Sequence, residues 1–249
     1  MTTERIPAAR RGYVICSDAR SGSTFLSRVL ISTGVLGVPK EYFHDPRWIA
    51  HLRRSKDGLE QVLDQASTPN GVFALKVFPP HFDHSRRLGW AELPGLGFVE
   101  LRRADILGQA ISTVRARQTG QWLSTQPAVT APRYSRGAIT DALARIAHGR
   151  ARWECYFARN AITPLRLTYE EAHADPQRAV DAVAFMVGIE RPFQVDPAAL
   201  ELEMQRDELS EAWRDRYISE CSDRSYLDRG WMGRWLGSPI QIARKVLGT

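Results

Sequence analysis

The sequence predicts an α/β fold of three layers, P-loop-like, with a central and mainly parallel sheet flanked by helices. Three observations point there. Short apolar runs alternate with segments of helical period. The first run ends in a loop of small residues that opens a helix. No internal repeat, low-complexity tract or linker divides the chain, so its 249 residues are expected to form a single domain over 1–249.

Tyr13-Val14-Ile15-Cys16-Ser17 is apolar without helical period and reads as a buried strand. Arg20-Ser21-Gly22-Ser23-Thr24 follows as a turn. Phe25, Leu26, Val29 and Leu30 then recur at helical spacing until Gly34, a suitable residue just past a helix end. Gly71 to Phe78 reads as a second strand between two breakers, Asn70-Gly71 and Pro79-Pro80. Phe98 to Leu101 is a third, and Ile106, Leu107, Ala110, Ile111 and Val114 mark one face of the helix after it. Ile139, Leu143 and Ile146, then Trp153, Tyr156 and Phe157, indicate a long helical stretch with Gly149 inside it. Pro164 to Thr168 is a fourth strand. Asp175-Pro176 is a cap-and-first-turn pair for a helix carrying Val180, Val183, Ala184 and Val187. The intervals 45–70 and 119–137 read as insertions, the second rich enough in Pro, Thr, Ser and Gln to form a loop over a site.

Hydrophobic residues make up 43% and charged residues 25%, which permits a substantial core and argues against a disordered or fibrous chain. No apolar run approaches the ~18 residues of a membrane-spanning helix, and Met1 to Arg11 lacks the apolar core of a signal peptide. The cytoplasm is therefore the expected location. The three cysteines, Cys16, Cys155 and Cys221, are far apart and form no CxxC pair, so neither a disulfide framework nor a zinc site is indicated. None of the six histidines falls in an HxxxH or HExxH pattern, and no metal is expected. The net charge of +6 favours an anionic partner. The arginines are dispersed and no helix-turn-helix, zinc-finger or RNP signature accompanies them, so no nucleic acid is expected.

The turn Arg20–Thr24 lies where ligands bind parallel sheets, beyond the carboxyl end of a strand. Gly22 lets the backbone approach an anion, the helix N-terminus adds partial positive charge, and Ser21, Ser23 and Thr24 offer hydroxyls. Arg20 brings a full charge and a fork suited to phosphate or sulfate oxygens. Ser23 stands where GxxxxGK[ST] would require lysine, so this is not a Walker A loop. The same serines would also suit an ordinary helix start. An arginine of the Arg102-Arg103 pair, with Ser112 on the following helix, can clasp a second phosphate, or can be an exposed first turn. Glu41, or His44 beside it, can take a proton from an attacking hydroxyl, or either can be a plain surface residue. Lys76, at a strand end near the same cleft, can reach donor or acceptor, or solvent.

Several of these segments resemble one family. Arg20-Ser-Gly-Ser-Thr-Phe-Leu is similar to the 5′-phosphosulfate loop of carbohydrate sulfotransferases. Thr33-Gly-Val-Leu-Gly-Val-Pro-Lys-Glu-Tyr-Phe and Pro69-Asn-Gly-Val-Phe-Ala-Leu-Lys resemble segments of the bacterial trehalose 2-sulfotransferases and of relatives named lipopolysaccharide or Nod-factor sulfotransferases. Phe98-Val-Glu-Leu-Arg-Arg-Ala-Asp, Gln109-Ala-Ile-Ser and Arg115-Ala-Arg-Gln-Thr-Gly-Gln-Trp resemble the 3′-phosphate segment and its continuation. Tyr169-Glu-Glu with Asp175-Pro176, and residues 203–220, resemble its C-terminal part. The likeness covers about residues 12–220 and leaves 221–249 as a C-terminal extension.

The resemblance implies a sulfotransferase that uses 3′-phosphoadenosine 5′-phosphosulfate (PAPS), releases adenosine 3′,5′-bisphosphate, and acts on a carbohydrate or glycolipid acceptor. It implies that Arg20, Ser21, Gly22, Ser23 and Thr24 hold the 5′-phosphosulfate and that Arg103 or Arg102, with Ser112, holds the 3′-phosphate. Glu41 takes the place of the catalytic base, Arg20 assists, and Glu41, Tyr42, His44 and Lys76 line the acceptor side. Relatives suggest a homodimer, although no segment demonstrates one. In the extension, Ile240, Ala243, Val246 and Leu247 beside Arg244 and Lys245 allow at most a peripheral membrane contact. Two other classes remain at this point: a P-loop kinase-like enzyme, and a non-catalytic protein that binds adenine nucleotides or acidic glycans.

Overall fold

The computed structural model describes residues 11–122, 126–190, 193–200 and 207–221. In chain order the elements are β1 (Arg11–Cys16), α1 (Ser23–Ser32), α2 (Pro46–Leu52), α3 (Gly58–Ala66), β2 (Val72–Val77), α4 (Pro79–Ser85), β3 (Gly97–Arg102), α5 (Ile106–Thr119), α6 (Arg136–Arg159), β4 (Leu165–Thr168), α7 (Tyr169–Ala174), α8 (Pro176–Met186) and α9 (Glu208–Glu220), with three short 3₁₀ turns. The chain divides into two compact units. One comprises residues 1–104 and 149–203; the other comprises 105–148 and 204–249.

The first unit holds the sheet. Its four strands run in the order β2-β1-β3-β4 and every pairing is parallel. β1 and β2 are buried almost throughout, which is why they read as continuous apolar runs. Alternation along the strands separates two faces. Tyr13, Ile15, Val72, Ala74, Val99 and Leu101 pack with Phe25, Leu26, Val29 and Leu30 of α1 and with Val180, Val183 and Ala184 of α8. Val14, Cys16, Phe73, Leu75, Val77 and Phe98 pack on the opposite face with Leu52 of α2, Val62 and Leu63 of α3, and Trp153 and Phe157 of α6. The three-layer α/β arrangement expected from the sequence is thus observed. The chain leaves β1 towards β2 and later crosses to β3 on β1's other side, so β1 and β3 flank the point where strand order reverses. Ligands of such sheets bind at the carboxyl edge there.

The interval 45–70 is not a bare insertion but carries α2 and α3. Both are too short to show a clear helical period, although Asp45 accepts from the Arg47 N–H ahead of Pro46 just as Asp175 accepts from Arg178 N–H ahead of Pro176. The described residues of 120–135 form neither helix nor strand.

In the second unit, Ala110, Ile111 and Val114 of α5 pack with Ile139, Ala142 and Ile146 of α6 and with Trp213 and Tyr217 of α9. Two ion pairs tie α5 to α9 end to end. Asp207, the N-cap of α9, takes a bidentate pair from Arg115 at 2.5 and 2.7 Å, and Asp105, the N-cap of α5, pairs with Arg214 at 2.5 Å. Arg115's hydrogen bonds hold the Asp207 carboxyl down at about 2. No described helix is long and apolar enough to cross a membrane. The segment 222–249, with Trp231, Trp235 and the basic end, lies outside the described residues.

Candidate functional site

The turn after β1 folds tightly. The Ser17 N–H donates to the Val77 carbonyl at 3.3 Å, and the Ser21 N–H donates to the Asp18 carbonyl at 3.3 Å. Arg20 and Gly22 both have positive φ, 61° and 86°, on either side of Ser21. A left-handed non-glycine residue costs ~1–2 kcal/mol, and such strain concentrates at ligand sites. Gly22 caps α1 with no side-chain hydrogen bond, so the first N–H groups of α1 have no side-chain cap. Ser21 is 1% exposed, and its hydroxyl oxygen is buried without a partner. Glycine is required at position 22 on two counts: its φ, and the ring of Tyr169, which a Cβ there would overlap.

Strand alternation assigns the two arginines at the end of β3 to opposite faces. Arg102 shares the face of Glu100, to which its Nε donates at 2.8 Å, and it also pairs with Glu154 of α6. Arg166 on β4 completes this group, reaching Glu100 at 3.1 Å and Glu154 at 3.0 Å. Arg103 turns to the other face, where its guanidinium lies 5.5 Å from the centre of the Tyr169 ring. Its Nε is buried without a partner. The backbone around it is pinned, because Arg150 donates to the Arg103 carbonyl at 2.5 Å and the Ala104 N–H donates to Glu170 at 2.9 Å. The loop Arg20–Thr24 and Arg103 therefore share one wall, Tyr169. Arg102 is spent on carboxylates across the sheet.

A second group gathers at the end of β2. Lys76 is 6% exposed in its side chain, and its ammonium lies 3.0 Å from the Glu41 carboxylate, which is 35% exposed. The Lys76 N–H donates to the Lys40 carbonyl, placing Glu41 beside the sheet's carboxyl edge. The His44 ring nitrogen Nδ1 lies 2.9 Å from the Glu41 carbonyl oxygen. Tyr42 serves the scaffold: its hydroxyl lies 2.9 Å from the carbonyls of both Val38 and Gln65, and burial pushes its pKa up to about 12. His81, from the first turns of α4, adds a buried Nδ1 without a partner. Burial holds its pKa below the ordinary histidine value, against the pull of the Glu41 charge.

Ser112 lies half-buried on α5, in the second unit. The sequence reading passed over three residues. Tyr169 was legible only as a helix lead-in, since its contact with Gly22 spans most of the chain. His81 carried no motif. Asp18 stands in the loop itself, half-buried, and burial raises its carboxyl to about 7 although Arg150 and Arg152 act to lower it. Among the described residues no group of three or more His, Cys, Asp or Glu is placed to hold a metal ion.

Comparison with known proteins bears on this geometry. A model of the Stf0 sulphotransferase family matches residues 12–84 and 92–220. The chain is 26% identical over 262 residues to a trehalose 2-sulfotransferase of Mycobacterium tuberculosis, covering 86% of this chain and 96% of that one. It is 25% identical over 252 residues to a trehalose 2-sulfotransferase of Mycolicibacterium smegmatis, covering 82% and 93%. Among solved structures, a sulfotransferase from Alicyclobacillus acidocaldarius is 16% identical, with a TM-score of 0.48 over 85% of this chain and 94% of that one.

Proposed function

The chain belongs to the Stf0 sulphotransferase family, and from that premise we propose that it transfers a sulfuryl group from PAPS to a hydroxyl of a carbohydrate or glycolipid. The observation that carries this furthest is the shared Tyr169 wall. It joins a loop suited to one oxyanion, Arg20–Thr24, to an arginine suited to a second, Arg103. Two anionic groups on the 3′ and 5′ oxygens of one ribose need that pairing, whereas a nucleoside triphosphate needs its anions in a row. The residues fit such a donor. Ser21 Oγ and Arg103 Nε are both buried without a partner, and oxyanion oxygens would satisfy both.

In this account Arg20, Ser21, Gly22, Ser23 and Thr24 bind the 5′-phosphosulfate, while Arg103 binds the 3′-phosphate. Arg103 is preferred to Arg102 because Glu100 and Glu154 already hold Arg102. Glu41 takes the proton of the acceptor hydroxyl as the acceptor oxygen bonds to sulfur. The bond from sulfur to the bridging phosphate oxygen breaks in line, and the negative charge left on that oxygen meets Arg20 and the N–H groups at the start of α1. Adenosine 3′,5′-bisphosphate departs, and Glu41 returns its proton to water. Lys76 holds the Glu41 carboxylate, with His44 lining the acceptor side, while Tyr42 is left to the scaffold by its bonds to Val38 and Gln65. Trehalose is the first acceptor to try, given the names of the curated relatives. The chain would act in the cytoplasm as one catalytic domain, as a homodimer if it follows its relatives, and without a metal.

The test is thermal-shift titration with adenosine 3′,5′-bisphosphate, adenosine 5′-phosphate and ATP with magnesium, followed by PAPS with trehalose and a panel of sugars and glycolipids. Selective stabilisation by the bisphosphate, and an acceptor heavier by one sulfate, is the expected result. Preference for ATP with magnesium, or no preference, would overturn the proposal.

A further inference from the structure

Arg103 is oriented without the use of its own donors. Its Nε is buried without a partner, and among the described residues no carboxylate pairs with its guanidinium, which lies 5.5 Å from the centre of the Tyr169 ring. Arg102, by contrast, is held at its tip by Glu100 and Glu154. An arginine side chain loses much rotamer freedom when it is fixed, so Arg103 has to be aimed by something else. The structure fixes its backbone on both sides. Before it, Arg102 pairs in parallel register with Thr168 at the end of the β3–β4 ladder. After it, both polar groups of one peptide unit are gripped. Arg150 of α6 donates to the Arg103 carbonyl at 2.5 Å, and Glu170 of α7 accepts from the Ala104 N–H at 2.9 Å. Because a peptide is planar, these two bonds set its plane from both ends, and with it ψ of Arg103. Their charges also match the peptide dipole, with a guanidinium at the oxygen and a carboxylate at the nitrogen. Glu170 is the neighbour of Tyr169, so the first turn of α7 meets Arg103 twice, with a ring at its side chain and a carboxylate at its backbone. That turn is itself fixed by the Thr168–Glu171 capping box.

Building on the donor site proposed above, we propose that Arg150 and Glu170 are positioning residues that set the protein's preference for a nucleotide carrying a 3′-phosphate. They clamp the 103–104 peptide so that Arg103 is aimed before the ligand arrives, while its guanidinium keeps its N–H donors for phosphate oxygens. A carboxylate on the guanidinium itself would aim it as well, but would compete with the phosphate for the same donors. Adenosine 5′-phosphate engages the turn Arg20–Thr24 and not Arg103, so it gains nothing from the clamp. The clamp therefore acts on discrimination between the two nucleotides and not on nucleotide binding in general.

The experiment is calorimetric titration of the full chain with adenosine 3′,5′-bisphosphate and with adenosine 5′-phosphate, for wild type, Glu170→Ala, Glu170→Gln and Arg150→Met, with Tm recorded for each. Wild type should prefer the bisphosphate. Glu170→Ala and Arg150→Met should each weaken the bisphosphate roughly tenfold. Both should leave adenosine 5′-phosphate within about twofold of wild type, so that the preference is lost while binding persists. Glu170→Gln keeps an oxygen for the Ala104 N–H and should hold the bisphosphate within about threefold of wild type. A purely structural role would lower Tm and weaken both nucleotides alike, or lower Tm and change neither; either result overturns the clamp while the donor site stands. The clamp is also overturned if Glu170→Gln is as impaired as Glu170→Ala. Should Arg150→Met not fold, the two Glu170 variants decide the question. If wild type itself shows no preference for the bisphosphate, the donor-site proposal fails and this inference fails with it.

Discussion

Glu41→Gln separates chemistry from architecture, because the side chain is proposed as base and also holds a buried ammonium. Lys76 is 6% exposed and lies 3.0 Å from the Glu41 carboxylate. Removing one partner of a fully buried ion pair costs ~3–5 kcal/mol. Here Glu41 is about one-third exposed, and a glutamine oxygen still accepts from Lys76, so ~1–2 kcal/mol is expected. For a chain of this size that lowers Tm by ~2–8 °C. Loss of a general base lowers turnover by ~10²–10⁴. Sulfate transfer from PAPS would be followed as initial rates, with bisphosphate binding and Tm measured on the same samples. The expected pattern is a large loss of turnover, a small loss of Tm and unchanged bisphosphate affinity. Lys76→Met removes the same ion pair but keeps the carboxylate, so it should match the Tm loss and retain far more turnover. Turnover of Glu41→Gln within about threefold of wild type would remove Glu41 from the chemistry.

Three further substitutions test the proposed donor site. Gly22→Ala combines a left-handed backbone with overlap of the Tyr169 ring. It should abolish bisphosphate binding and destabilise by at least ~1–2 kcal/mol, read by denaturant unfolding; normal binding would contradict the shared wall. Arg103→Ala and Arg102→Ala should part company. Arg103→Ala should weaken bisphosphate binding at least ~10-fold with little change in stability. Arg102→Ala leaves Glu100, 2% exposed, with Arg166 as its remaining ion-pair partner among the described residues, and should cost ~2–4 kcal/mol of stability while sparing affinity. The reverse pattern would make Arg102 the 3′-phosphate ligand.

The four strands were legible because each is a short apolar run between turn residues, and the loop after β1 because small residues, a base and a helix start coincide there. The motifs also led to Glu41 and Lys76, which the fold brings to 3.0 Å. Other features rest on physics that a linear reading lacks. The choice between Arg102 and Arg103 depends on strand register, since a shift of one residue moves a side chain to the other face. α2 and α3 hold seven and nine residues, too few to display a helical period. Nothing near Asp18 marks it as half-buried, because its niche is a missing Cβ at Gly149, far along the chain. The pairing of Asp105 with Arg214 joins two surface-type residues whose proximity exists only after α5 and α9 pack.

The Tyr169 wall also has a consequence for how the protein is made. The turn proposed to bind the donor leaves the ribosome early, at residues 20–24, while the ring that backs Gly22 arrives only with residue 169. Until β4 has been synthesised and added to the edge of β3, nascent Arg20–Thr24 has its glycine but nothing behind it. Chains released before that point would carry every motif residue of the turn and no template to shape it. Donor binding by nascent or truncated chains should therefore begin only after β4 and α7 have emerged.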